Sequence, residues 1–237
     1  MVYMNLENKR ILVTGGARRV GRMFVKKLQS FGAEVIVHYN TSKNEAEELS
    51  KFIIQSDLSK PDSFPDLIND CGPIDILINN ASIFSKDRLL DSSPEKVLKE
   101  FAVNFFSPFE LTRQFAKQKR EGIVLNILDR RILANEITCL PYCLSKKSLA
   151  EFTYAAALEL APRIRVNAIA PGPILAPDNQ DFNTYKEKAG FIPLEKIPNP
   201  NDVIEAGLYL INNDSITGQV IYVDGGQNLV GNIGNHG

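Results

Sequence analysis

Tyr142-Cys143-Leu144-Ser145-Lys146 sets a phenol and an amine four positions apart, a spacing that puts both on one face of a helix. A phenol with its ordinary pKa of about 10 is a poor proton carrier near neutrality. A neighbouring ammonium favours the phenolate and brings the group toward the working range. The pattern is cheap by itself, because most chance occurrences lie on surface helices. What gives it weight is its place after the fifth strand of an alternating chain whose first turn is built to hold phosphate.

That first turn is Thr14-Gly15-Gly16-Ala17-Arg18-Arg19-Val20-Gly21. Glycine there lets the backbone approach a pyrophosphate, and the following helix offers unpaired N–H groups and a favourable dipole. Gly15, Arg18, Arg19, Val20 and Gly21 are therefore candidate cofactor residues. The second strand ends in His38-Tyr39-Asn40-Thr41-Ser42-Lys43, with no carboxylate before Glu45 to hold a ribose 2′-hydroxyl. Arg18, aided by Asn40, Thr41 and Ser42, suits a 2′-phosphate, which favours NADP over NAD. His38 reads as an ordinary strand-end residue. Asp57, beside Leu58 after the third strand, suits either an adenine amino group or a turn. Asn79-Asn80-Ala81-Ser82 follows the fourth strand, at the crevice edge.

Seven short apolar runs position these residues: 10–14, 34–39, 52–55, 75–79, 122–128, 164–169 and 219–223. Runs too short for helices and stopped by glycine or polar residues read as buried parallel strands. Helical spacing fills the gaps at 20–31, 44–51, 93–119, 141–160 and 201–211, with Ser93 as an N-cap before Pro94. The expectation is an α/β fold, one domain over residues 1–237, with a doubly wound (Rossmann) parallel sheet of about seven strands and helices on both faces. Pro171, Pro173, Pro177, Pro193, Pro198 and Pro200 bracket a polar stretch, read as a substrate loop at about 173–200.

Composition narrows the partners. The 27 basic and 28 acidic side chains leave a net charge of -1, with no footprint for nucleic acid or an anionic membrane surface. A small-molecule substrate is the expected partner. Met1–Arg10 carries charges where a signal peptide needs an apolar run, and no stretch is apolar enough to span a bilayer. Cys71, Cys139 and Cys143 suggest reduced thiols in a cytoplasm. Cys139 and Cys143 lack further soft ligands nearby, so no metal site is expected.

Gly15, Gly21, Asn79-Asn80-Ala81, Asn104, Tyr142, Lys146, Pro171-Gly172 and Asp224-Gly225-Gly226 fall in the order and spacing of the short-chain dehydrogenases/reductases, which the chain resembles over nearly its whole length. The resemblance implies that Tyr142 is the proton donor and that Lys146 binds the nicotinamide ribose. It implies that Asn104 holds a water in a proton relay, that Pro171 and Gly172 border the cofactor, and that the protein is a homotetramer built on helices 93–119 and 141–160.

One position departs from the family pattern. Thirteen residues before the tyrosine, where the family has a serine that donates to a substrate carbonyl, stands Asp129. An ionised carboxylate there would repel a developing alkoxide, which disfavours simple carbonyl reduction. A carboxyl group suits proton relay toward a ring nitrogen. With Arg19 in the glycine turn and the Asn80-Ala81-Ser82-x-Phe84 run, the set is similar to the pteridine reductase and dihydromonapterin reductase branch. That likeness implies substrate or phosphate contacts from Arg19 and Ser82, and a ring stacked on Phe84. The expected activity is NADPH-dependent reduction of a dihydropterin-type C=N bond, with Asp129, Tyr142, Lys146 and Asn104 as the catalytic set. The alternatives are a carbonyl reductase of the 3-oxoacyl-thioester or sugar type, and a catalytically silent NADP-binding sensor.

Overall fold

The computed structural model describes residues 6–64, 66–133, 136–176, 181–187 and 189–230. The chain opens with β1 (Arg10–Val13), α1 (Arg19–Ser30), β2 (Glu34–Tyr39), α2 (Lys43–Glu47) and β3 (Ile53–Gln55). It continues through α3 (Leu67–Cys71), β4 (Ile76–Asn79), α4 (Pro94–Phe101) and α5 (Ser107–Lys117). The second half holds β5 (Gly122–Ile127), α6 (Leu140–Leu160), β6 (Ile164–Pro171) and α7 (Phe182–Glu187). It ends with α8 (Pro200–Asn212), β7 (Val220–Val223) and α9 (Gln227–Val230).

All neighbouring strands pair in parallel, in the order β3-β2-β1-β4-β5-β6-β7. The order reverses between β1 and β4, and a crevice opens there beyond the strand ends. Alternation along each strand divides the core in two. Ile11, Val13, Val35 and Val37 pack with Phe24, Leu28, Val203 and Leu208 beneath α1 and α8. Leu12, Ile36, Leu77 and Val124 face the other way, with Ile68, Leu111, Phe115 and Ala157 beneath α3, α5 and α6. A fully buried leucine such as Leu12 contributes about 2–5 kcal/mol relative to alanine.

The expected helix over 93–119 is not regular. Between α4 and α5 the backbone widens into a π-helical stretch, Ala102–Phe106. No proline or glycine lies within it, so its apolar spacing reads as plain helix. Ser93 caps α4 as expected, its hydroxyl accepting from the Lys96 N–H at 3.4 Å. The short helices α3, α7 and α9 were not expected from the spacing. Of the stretch read as a substrate loop, residues 177–180 and 188 lie outside the described residues; the remainder contains α7.

Candidate active site

A cavity of about 880 Å³ occupies the crevice, running from the glycine turn past the ends of β4 and β5 to α7. At its deep end the backbone forms the wall. Gly15 has φ +61, a conformation glycine adopts without penalty. A Cβ on Gly21 would collide with the Gly15 carbonyl and lie 2.6 Å from the Asn80 side-chain nitrogen. No side chain caps α1, so its first N–H groups remain available for an anion. This cradle fits a dinucleotide pyrophosphate, and a side chain at either glycine would press on Asn80 and disturb its shape.

Three groups hold the cradle in place. Asn80 Nδ2 donates to the Thr14 and Gly15 carbonyls at 2.9 and 3.2 Å. Thr14 Oγ1 accepts from the Asn80 and Ala81 N–H groups at 2.9 and 3.0 Å. His38 completes the clasp, its Nδ1 accepting from the Gly15 N–H at 3.1 Å and its Nε2 facing the Ser56 carbonyl at 3.2 Å. That pairing requires a neutral ring with the proton on Nε2, and burial pushes the His38 pKa down to about 4. The sequence reading passed over His38 because both partners are non-local.

Arg19 stands in the left-handed region, with φ +51, which explains why glycine suits that place in the turn. Its guanidinium reaches across the cleft to the Leu175 and Ala176 carbonyls, at 3.1 and 2.9 Å, and ties the turn to the segment after β6. Arg18 lines the cavity and is paired with Glu45, its Nε donating at 2.8 Å. The fold thus brings to Arg18 the first carboxylate after the second strand. The pair is exposed and correspondingly weak, so a phosphate can compete for the arginine.

The other expected cofactor residues divide. Val20, Asn40, Asp57, Leu58, Ala81, Ser82, Pro171 and Gly172 line the cavity. Thr41 and Ser42 do not, because the chain turns away into α2 immediately after them. Asp57 forms a turn with Ser59, accepting from its N–H at 3.0 Å and its hydroxyl at 2.7 Å, while still bordering the cavity.

At the other end side chains make the wall. The Tyr142 hydroxyl donates to Asp129 Oδ2 at 2.9 Å, and Arg131 Nη1 donates to the same oxygen at 3.0 Å. Asp129 Oδ1 accepts from the Arg131 N–H at 2.8 Å. Burial, then the charge of Asp129, drives the Tyr142 pKa well above its ordinary value. This reverses the expectation from spacing, in which Lys146 lowers it. The phenol here faces a carboxylate, whereas Lys146 Nζ donates to the Ile127 carbonyl at 2.8 Å. Burial lowers the Lys146 pKa to about 8, against the opposing pull of Asp129 and Glu100.

Phe84 meets the Tyr142 ring edge-on at 4.8 Å, with the Arg131 guanidinium 5.7 Å from its own centroid. Cys139 and Cys143 flank Tyr142 as free thiols, with sulfurs 3.4 Å apart. Among the described residues no group of side chains could hold a metal.

Asn104 lies behind this wall. It is fully buried in the π-helical stretch, and its side chain is committed to protein groups. Its Oδ1 accepts from the Ser82 hydroxyl and the Ile83 N–H, at 3.0 and 2.9 Å. Its Nδ2 lies within 2.8–3.1 Å of the Ile83 carbonyl, Glu100 and Ser145. The side chain therefore positions the 82–84 wall. Buried Glu100, which the sequence reading overlooked, anchors that amide, and burial raises its pKa.

Residues 15–228 match a family model described as enoyl-(acyl carrier protein) reductase, a model of the short-chain dehydrogenases/reductases. The chain belongs to the short-chain dehydrogenase/reductase family. It is 30% identical to the 3-oxoacyl-[acyl-carrier-protein] reductase FabG of Haemophilus influenzae, an alignment spanning 93% of this chain and 98% of that one. It is 29% identical to the L-xylulose reductase of Cavia porcellus, over 94% and 98%. Among solved structures, FolM alternative dihydrofolate reductase 1 from Brucella canis, complexed with NADP, matches with a TM-score of 0.90 and 34% identity over 98% of each chain. The Brucella suis protein of the same name, also with NADP, gives 0.88 and 35% over 94% and 96%.

Proposed function

We propose that this NADP-dependent oxidoreductase reduces a dihydropterin-type C=N bond. The observation that carries the reading is the 2.9 Å hydrogen bond from Tyr142 to Asp129, at the position where the family has a serine. A serine donates to a carbonyl oxygen as it gains charge; a carboxylate cannot. A carboxylate that accepts from the phenol and lies within reach of substrate suits a basic ring nitrogen. The NADP-bound Brucella proteins named as dihydrofolate reductases support the same class of substrate.

NADPH, when bound, supplies the hydride. The glycine turn and the α1 terminus bind its phosphates, and Arg18 with Asn40 bounds the 2′-phosphate end. Tyr142, held protonated by burial and Asp129, acts as the acid that delivers a proton to the ring nitrogen. Before substrate binds the hydroxyl donates to Asp129; it turns to the ring nitrogen to give up its proton, and Arg131 balances the charge of the carboxylate. Lys146 holds the nicotinamide ribose, and Asn104 acts as a positioning residue for Ser82 and Phe84. Phe84 offers a flat apolar face to the substrate ring. Tyr185 and Ala189, on the cavity wall, cover the substrate and help to exclude water.

Exposed Leu98, Phe109, Leu144 and Leu158 on α4, α5 and α6 support the homotetramer implied by the family resemblance. Three free thiols suit a reducing cytoplasm. Among the described residues no helix is long and apolar enough to cross a membrane.

The oxoacyl-thioester relative favours carbonyl reduction as the second reading. Loss of NADPH absorbance, followed in parallel with a dihydropterin and an acetoacetyl thioester, separates the two. The account expects turnover with the pterin. Turnover with the thioester alone would move the chain to the carbonyl reductases, and none with either, despite NADPH binding, would leave a silent sensor.

A further inference from the structure

We propose that Arg130 forms a subsite for an anionic group of the substrate, a carboxylate or phosphate on a tail remote from the ring that is reduced. The proposal deepens the reductase reading and rests on it for the identity of the ring.

Three guanidinium groups, Arg19, Arg130 and Arg131, border the substrate end of the cavity. Two are committed: Arg19 to the carbonyls of residues 175 and 176, and Arg131 to Asp129. Arg130 is half-buried and, among the described residues, its side chain makes no hydrogen bond or ion pair. Burial and then the like charge of Arg131 both push its pKa down, so its surroundings oppose the charge it carries. A guanidinium left partly desolvated without a counter-ion is costly, and an anion entering the cleft relieves that cost.

The acids near Arg130 are already engaged. Asp129 is held by Tyr142 and Arg131. Asp224 accepts from the N–H groups of Gly226 and Asn228, at 2.9 and 2.7 Å. Glu136 accepts from the N–H and hydroxyl of Thr138, at 3.2 and 2.7 Å. Each acts on Arg130 only through space. Tyr185, on α7, feels the charges of Arg131, Arg19, Asp129 and Arg130, so the segment over the cleft brings a phenol to the same cluster.

Placement separates this subsite from the cofactor's phosphates. The glycine turn follows β1, and Arg18 and Asn40 lie toward β2, whereas Arg130 follows β5, across the switch point. A tail extending from a ring over Tyr142 and Phe84 meets Arg130 without passing the phosphate cradle.

The test uses full-length enzyme, wild type, Arg130→Gln and Arg130→Lys. Two probes share one ring: a dihydropterin with a glutamate tail, and one with a neutral hydroxyalkyl side chain. In Arg130→Gln the KM for the tailed pterin rises about tenfold, the loss of one charge-assisted hydrogen bond. Its kcat and the KM for the neutral pterin change less than about twofold, and Arg130→Lys recovers part of the loss. Added salt weakens the tailed substrate in wild type and has little effect in Arg130→Gln. An equal loss for both pterins, or no loss for either, overturns the proposal. So does a weakened NADPH Kd, measured by fluorescence, with unchanged pterin KM, which would assign the anion to the cofactor. If neither pterin turns over, calorimetric titration of both probes into the enzyme–NADP complex still decides. Arg130-dependent binding of the tailed probe alone sustains the subsite while the reductase reading fails; equal or absent binding overturns it.

Discussion

The two ends of the cleft are built from different materials. Around β1, β2 and β4 the phosphate cradle is backbone: glycines, a helix N-terminus, and neutral side chains that fix main-chain atoms, with the charged Arg18 and Asp57 at its rim. Around β5 and α6 it is side-chain charge: Asp129, Arg130, Arg131, Lys146 and a phenol. A backbone wall accepts what all dinucleotides share, and it fails when a side chain is added. A charged wall chooses among substrates and responds to the loss or reversal of one group. The contrast locates where this chain can differ from relatives at about 30% identity.

The largest effect expected is at the backbone end. Gly21→Ala drives a methyl into the Gly15 carbonyl and should weaken NADPH binding about a hundredfold or more, read by fluorescence titration with circular dichroism confirming the fold. Retained affinity would mean the cradle does not bind the pyrophosphate. At the charged end, Tyr142→Phe should cut kcat by about a thousandfold and leave the NADPH Kd unchanged, which steady-state kinetics beside the same titration will show.

A subtler prediction concerns pH. The negative charge of Asp129 raises the Tyr142 pKa, so Asp129→Asn should lower it. The alkaline limb of kcat/KM then moves to lower pH, whereas an unmoved limb would uncouple the two groups. At the backbone end the relevant group is His38. Its folded pKa of about 4 lies below the ordinary 6.5, so the unfolded chain binds the proton first. The stabilisation is present above about pH 6.5 and is lost as pH falls toward 4, by roughly 3 kcal/mol. Denaturant melts across that window should show the loss, and His38→Asn should remove its pH dependence. Smallest, and belonging to neither end, Ser93→Ala should cost about 1 kcal/mol in chemical denaturation without altering turnover.

The sheet was legible because buried parallel strands are near-continuous apolar runs, and runs such as RILV and EVIVHY stop at polar or glycine residues. Order and spacing single out Tyr142 and Lys146, and the family resemblance singles out Asp129; the structure brings the three to one cavity. What escaped depends on partners far away in the chain. His38 looks like a strand end until β3 and the glycine turn are placed beside it. The π-helical turn leaves no mark, because Ala102–Phe106 keeps helical apolar spacing while turning Asn104 inward. Glu45 reaches Arg18 only because α2 folds back over the turn. The sign of the shift at Tyr142 was missed for the same reason, since the spacing to Lys146 is local and the contact with Asp129 is not.

The central claim is that Asp129, in place of serine, sets the choice of a C=N over a C=O bond. The direct measurement is the ratio of kcat/KM for a dihydropterin to that for an acetoacetyl thioester, in wild type and in Asp129→Ser. The account predicts that the substitution swings the ratio toward the ketone by about a hundredfold, the worth of one oxyanion-type donor gained and one carboxylate lost. A ratio that stays where it was would contradict it.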